Sequence, residues 1–172
     1  MGYQTDFEGK FTLDAPLTAA QIAYLNAFSD TRRMARDPVK ASKLPDPVRE
    51  AVGLPIGPEG AFYVGSAANG NFGQEKDASV IDGNSSGRSM PGLWCQWVPT
   101  DDGTAIQWDG NEKFYEYEAW LSFVIDSFLK PWGRTLDGEV TWEGEDSSDR
   151  GKLIVKDNVV SVKRGRVRIE YR

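Results

Sequence analysis

From Leu136 to Tyr171 apolar and polar residues alternate, and this period of two constrains the fold more than any other feature of the chain. Successive side chains of a strand point to opposite faces. Leu136, Gly138, Val140 and Trp142 therefore fall on one side, followed by Leu153 and Val155, then Val167, Ile169 and Tyr171. Turn-forming residues at Gly144 to Gly151, Asp157-Asn158 and Arg164-Gly165 separate the runs. Connections this short force neighbouring strands to run antiparallel, so the region reads as a meander.

The rest of the chain mixes helix and strand signals. Phe7, Gly9, Phe11 and Leu13 alternate as an edge strand would. Thr18 and Gln21 have the spacing of a capping box, with Leu17 and Ile22 placed as a hydrophobic staple, and Ile22, Leu25 and Phe28 extend an apolar stripe. Asp37-Pro38 and Asp46-Pro47 each put an acceptor at an N-cap before a proline, and Gly53 can end the second short helix. Ala61 to Val64 reads as a short strand. Leu93 to Val98 and Thr104 to Trp108 read as a hairpin closed by Pro99 to Gly103. After Asp109-Gly110-Asn111 the spacing predicts a helix of about 18 residues with Phe114, Tyr117, Leu121, Val124, Ile125 and Phe128 on one face, stopped by Pro131.

With 172 residues, one core can remove about 70% of the unfolded surface from water. The expected architecture is a single α+β domain over residues 1–172. It has an antiparallel or mixed sheet with a C-terminal meander, two main helices packed on the sheet, and one long Gly/Asn-rich loop over residues 65–92.

Charge and composition exclude several functions. A net charge of −6 repels a nucleic-acid backbone, so direct nucleic-acid binding is not expected. The lone Cys95 permits neither an intramolecular disulfide nor a thiolate cluster, which suits a reducing compartment and a cytoplasmic location. No stretch approaches the roughly 18 apolar residues of a membrane span, and Met1 to Thr5 lacks the basic and apolar regions of a signal peptide.

The chain contains no histidine, which removes the commonest general base near neutral pH and most transition-metal sites. Cys95, with no imidazole to activate it, is a poor nucleophile, and none of Ser66, Ser85, Ser86 and Ser89 has a lysine at the Ser-x-x-Lys spacing. Gly65 and Gly70 have the spacing of a phosphate-binding loop, but Asn71 and Phe72 stand where Lys and Ser/Thr are required. Asp82, Asn84 and Ser86 open like a calcium loop, yet Leu93 occupies the place of the bidentate glutamate. Catalytic residues, metal ligands and cofactors are therefore all unassigned. Of the carboxylates, Asp101 and Asp102 suit a turn, Asp109 a helix N-cap and Glu112 a first helical turn. Together with Glu116 and Glu118 they are also the basis of an alternative, a carboxylate-dependent hydrolase or transferase.

Recognition is the expectation that remains. Loops longer than about 12 to 15 residues are uncommon in compact domains and tend to be functional. Arg32, Arg33, Arg36, Lys40 and Lys43 outnumber Asp30 and Asp37 by three. Trp94, Trp97 and Trp108 alternate along adjacent runs. A tryptophan beside the 65–92 loop could stack a base or sugar while guanidinium groups hold a phosphate. The expected site is Arg32, Arg33, Arg36, Asn69, Asn71, Trp94 and Trp97. Its ligand is a small anionic, nucleotide-like molecule or a partner protein. The plainer readings are a solvated basic helix face and an aromatic core. Glu139, Glu143, Glu145, Asp146 and Asp149 are acidic, whereas Lys163, Arg164, Arg166, Arg168 and Arg172 are basic. Cross-strand pairing accounts for both sets without a ligand. A further alternative is an acidic phage-type inhibitor that uses these acids to mimic nucleic acid.

Met1-Gly-Tyr-Gln-Thr-Asp-Phe7, Ser29-Asp-Thr-Arg-Arg-Met34, Gly92-Leu-Trp-Cys-Gln-Trp-Val-Pro99, and Trp108-Asp-Gly110 with Glu112-Lys-Phe-Tyr115 resemble a family of small uncharacterised proteins from bacteria and their phages. The resemblance spans most of the chain and carries over no functional residue. It implies a cytoplasmic, phage-related setting and a host protein as partner.

Overall fold

β1, Thr5–Leu13, pairs with β6, Leu136–Gly144, along its whole length, from Thr5 opposite Gly144 to Leu13 opposite Leu136. The computed structural model describes residues 2–65, 77–166 and 168–172. Completing the sheet are β4 (Trp97–Pro99), β5 (Ala105–Trp108), β7 (Arg150–Lys156) and β8 (Val159–Arg164), in the spatial order β4-β5-β1-β6-β7-β8. All neighbours are antiparallel, and β6, β7 and β8 form the meander.

Four strand expectations need correction. The first hairpin strand, expected over Leu93 to Val98, spans Trp97–Pro99, so Pro99 belongs to the strand and not to the turn. β1 is central, not an edge. It joins the N-terminal hairpin half to the meander because it carries ladder partners on both sides, β5 and β6. Ala61 to Val64 is not a strand but continues a 3-10 turn at Pro58–Gly60, with the Tyr63 amide donating to the Gly60 carbonyl. After Arg164 the chain leaves the sheet, and Ile169 and Tyr171 are exposed at 70% and 92%. Val167 lies outside the described residues. Alternation alone does not make a strand when no neighbour supplies the hydrogen bonds.

α1, Ala19–Asp30, begins at the capping box: the Gln21 amide donates to Thr18 Oγ1 at 3.2 Å and the Thr18 amide to Gln21 Oε1 at 2.9 Å. Tyr24, Leu25 and Phe28 bury one side of it. A second small sheet pairs β2, Met34–Arg36, with β3, Val80–Ser86, in an irregular register. β3 thus replaces part of the loop expected over residues 65–92, and residues 66–76 of that loop lie outside the described residues. Two short helices follow β2. In α2, Pro38–Ala41, Asp37 caps the amides of Val39 and Lys40. In α3, Pro47–Ala51, Asp46 makes no cap; its carboxylate is committed elsewhere.

α4, Tyr117–Val124, runs into a π-helical turn at Ile125–Leu129, where the Lys130 amide donates to the Ile125 carbonyl. The helix starts later than the spacing predicts. Lys113 and Glu116 have φ values of 58° and 55°, in the left-handed region, and residues 109–116 are irregular. Tertiary contacts override propensity there. Phe114 packs against Phe7 and Trp97, the Gln96 amide group donates to the Glu112 carbonyl at 2.8 Å, and the Lys113 amide donates to Gln4 Oε1 at 2.8 Å.

The core lies between α1, α4 and one face of the sheet. Phe11, Leu13, Val140, Trp142, Leu153 and Val155 from the strands meet Tyr24, Phe28, Trp120, Leu121 and Phe128 from the helices. The opposite face carries Asp6, Glu8, Glu139, Thr141, Glu143, Arg150, Lys152 and Lys163, all exposed. An antiparallel sheet with one packed and one solvated face explains the clean alternation.

Candidate functional site on the open face of the sheet

Among the described residues no helix covers the outer face of β1, β6, β7 and β8, and the twisted strands leave a groove of about 700 Å³ there. A groove this large falls in the size range of small-ligand and peptide sites. Its walls differ in charge. Asp6 and Glu8 of β1 and Glu139 and Glu143 of β6 line one side, while Arg150 and Lys152 of β7 and Lys163 of β8 line the other. Thr141 and Ile154 lie between.

The walls are partly neutralised where they meet. Arg150 Nη2 stands 3.1 Å from Glu143 Oε1 and Lys152 Nζ 3.6 Å from Glu139 Oε2. These pairs are exposed and hold the fold by well under about 1 kcal/mol each. At the margins the charge is uncompensated: among the described residues Asp6, Glu8 and Lys163 have no ion-pair partner. Register makes this sharper, because Lys152 and Lys163 are directly opposite each other on β7 and β8. Cross-strand pairing therefore accounts for Glu139 and Glu143 but through Lys152 and Arg150, not through Lys163 or Arg164. Arg164 instead stacks over the Trp142 ring at 5.8 Å. Asp146 and Asp149 are held locally, by Ser148 and by Tyr3 and Trp142. Hydrogen bonds from Ser148 hold the Asp146 carboxyl below its ordinary range. The basic wall of β7 and β8 runs beside the acids of β1 and β6, so the face as a whole carries both signs of charge.

The residues expected to bind an anion do not form an open site. Arg33 and Arg36 are each 3% exposed. The Arg33 guanidinium donates to the carbonyls of Thr31 and Ala61 and lies 4.3 Å from the Phe28 ring centre. Arg36 donates to Asp77 and Ser79 at 2.8 Å and covers the Tyr63 ring. Arg32 alone is half-buried, and its Nε donates to the Gly83 carbonyl at 2.8 Å. Trp97 is 2% exposed, with its Nε1 donating to the Tyr117 carbonyl, so it belongs to the core. Trp94 is half-buried at the segment that pairs with Arg33, whose amide donates to the Leu93 carbonyl at 2.7 Å. Asn69 and Asn71 lie outside the described residues. Arg33, just before β2, and Arg36, at its end, are both enclosed by the protein and bonded there to carbonyls or to a carboxylate. Asp46, 1% exposed, serves Arg49 of α3 instead, accepting from Arg49 Nε at 2.6 Å and from the Gly65 amide at 2.9 Å. Burial, opposed by the Arg49 contact, leaves its carboxyl above the ordinary range.

The carboxylates named for a hydrolase or transferase are not gathered in the groove. Asp102 is a turn acceptor for Thr100 and Thr104. Glu112 and Glu116 are exposed. Asp109, half-buried, accepts from the Asn111 amide and side chain, and burial pushes its carboxyl up. Asp30 at the end of α1 is likewise pushed up by burial and by the charge of Asp109. Neither of these two lines the groove. Among the described residues no group of three or more Asp, Glu or Cys side chains could hold a metal ion. No helix there is long and apolar enough to cross a membrane.

No protein-family model, no curated protein and no solved structure matches the chain.

Sequence reasoning passed over the groove. Its signal was present in the polar positions of β1, β6, β7 and β8, whose charges change sign from one pair of strands to the next. Strand order, which decides that β1 lies beside β6, is not carried by any one strand's pattern.

Proposed function

We propose that this is a non-catalytic binding protein that receives an extended, mixed-charge segment of a partner protein across the open face of its sheet. One observation carries the reading: the groove of about 700 Å³ has an acidic wall and a basic wall, each with charges left uncompensated at its margin. Lysine or arginine side chains of such a segment would meet Asp6 and Glu8, and its carboxylates would meet Lys152 and Lys163. Charged groups of this kind give specificity and fast association more than raw affinity. A partner protein is favoured over a small nucleotide-like ligand because the arginines that would hold a phosphate are enclosed and already bonded. A cytoplasmic location fits the free, buried Cys95, and the resemblance to bacterial and phage proteins fits a host protein as partner.

Selection from a displayed library of short peptides tests this. Enriched sequences should carry both signs of charge, bind more weakly as salt rises, and lose binding to a chain carrying Lys152→Glu and Lys163→Glu. Enrichment that is indifferent to those two substitutions would refute the assignment of the groove.

A further inference from the structure

Among the described residues three arginines are buried beside β2 and α3, but only two carboxylates answer them. Arg36 has Asp77 at 2.8 Å and Arg49 has Asp46 at 2.6 Å. Arg33, more deeply enclosed than Arg49, has carbonyls and an aromatic face but no carboxylate. Its Nη2 has no hydrogen-bond partner. A second buried donor is in the same position: among the described residues the indole Nε1 of Trp120, whose side chain is fully buried, also has no partner. Both side chains touch Phe28, which the Arg33 guanidinium covers at 4.3 Å and which the Trp120 ring approaches edge-on at 5.9 Å. They also share the turn at residues 92–93. The Arg33 amide donates to the Leu93 carbonyl, and Trp120 Nε1 lies 3.6 Å from where a Gly92 Cβ would stand.

Buried donors left unpaired are costly, and an unpaired buried cation more so. Burial brings the Arg33 guanidinium down to about 10, so it still carries its charge at neutral pH. The missing element is an acceptor with negative charge. We propose that a small inorganic anion of halide size is held by Arg33 Nη2 and Trp120 Nε1 beneath the Gly92-Leu93 turn, as a structural counter-ion. A third donor without a partner among the described residues, Trp132 Nε1, is set apart from Phe28 by Phe128, on which the Trp132 ring stacks at 5.9 Å. The proposal is independent of the groove, which none of these residues lines.

The test replaces gluconate, too large to enter, by millimolar bromide or chloride at constant ionic strength and follows thermal unfolding of the full chain. The expected result is a saturable rise in midpoint of about 5 °C, strongly reduced in Trp120→Phe, which keeps the ring and removes the donor. Crystals grown in bromide give a second readout that needs no variant. An anomalous peak within hydrogen-bond distance of both donors supports the site. A midpoint indifferent to the anion, or a water or nothing in place of the peak, overturns it.

Discussion

Lys152 and Lys163 stand directly opposite each other on β7 and β8, on the face of the sheet that no other element covers. Like charges in directly opposed positions cost stability, roughly 0.2–1 kcal/mol. Lys163→Glu should therefore raise stability by about 0.5 kcal/mol at low salt, measured by urea unfolding, with the gain shrinking as salt is added. A lysine on an edge strand also discourages pairing with another chain, and glutamate serves that purpose equally well. The substitution thus isolates the sign of the charge. Greater stability together with weaker peptide binding is the expected combination, because binding sites hold features that stability alone would remove.

The β1–β6 pair depends on two glycines. Gly9 has φ +103° and Gly138 φ +139°, and Cβ atoms there would stand 2.9 Å from the Glu139 carbonyl and 3.2 Å from the Lys10 carbonyl. Gly138→Ala should destabilise the protein by about 2 kcal/mol through backbone strain and crowding. Circular-dichroism melts of the variant check this, with Gly110→Ala as the contrast for position: it shares a positive φ of 83° but a Cβ there meets nothing within 4 Å, so strain acts alone and the loss is smaller.

Asp102 closes the β4–β5 turn by accepting from the hydroxyls of Thr104 and Thr100 and from the Thr104 amide. These bonds bring its carboxyl from the ordinary 3.8 down to about 2. A depressed carboxyl stabilises the fold in full above pH 3.8, and that contribution is lost as pH falls through about 2. Carboxyl carbon shifts in an NMR pH titration should give a midpoint near 2 for Asp102. Thr104→Val, which removes the first-ranking bond, should move the midpoint back toward 3.8.

The parts of the fold that follow from local rules were legible in the sequence. The Thr18–Gln21 capping box, the turn of residues 100–103 and the alternation of β6 and β7 each rest on residues close together in the chain. What was not legible depends on distant partners. β3 carries little apolar pattern and exists because Met34 to Arg36 supplies a ladder. Phe114 carries the helical pattern but is drawn out of the helix by Phe7 and Trp97. The arginines of 32 to 36 looked like a ligand surface because sequence shows charge and not burial. Arg33 and Arg36 are enclosed, and the carboxylate that receives Arg36 comes from distant residue 77.

Amide chemical-shift mapping of the native chain with the best-enriched mixed-charge peptide tests the central claim most directly. The account expects saturable shifts concentrated on β1, β6, β7 and β8 around Glu8, Thr141, Lys152 and Lys163, with the amides of β2 and of residues 92–95 undisturbed. Shifts confined to β2 and the Trp94 segment, or none at any peptide concentration, would contradict it.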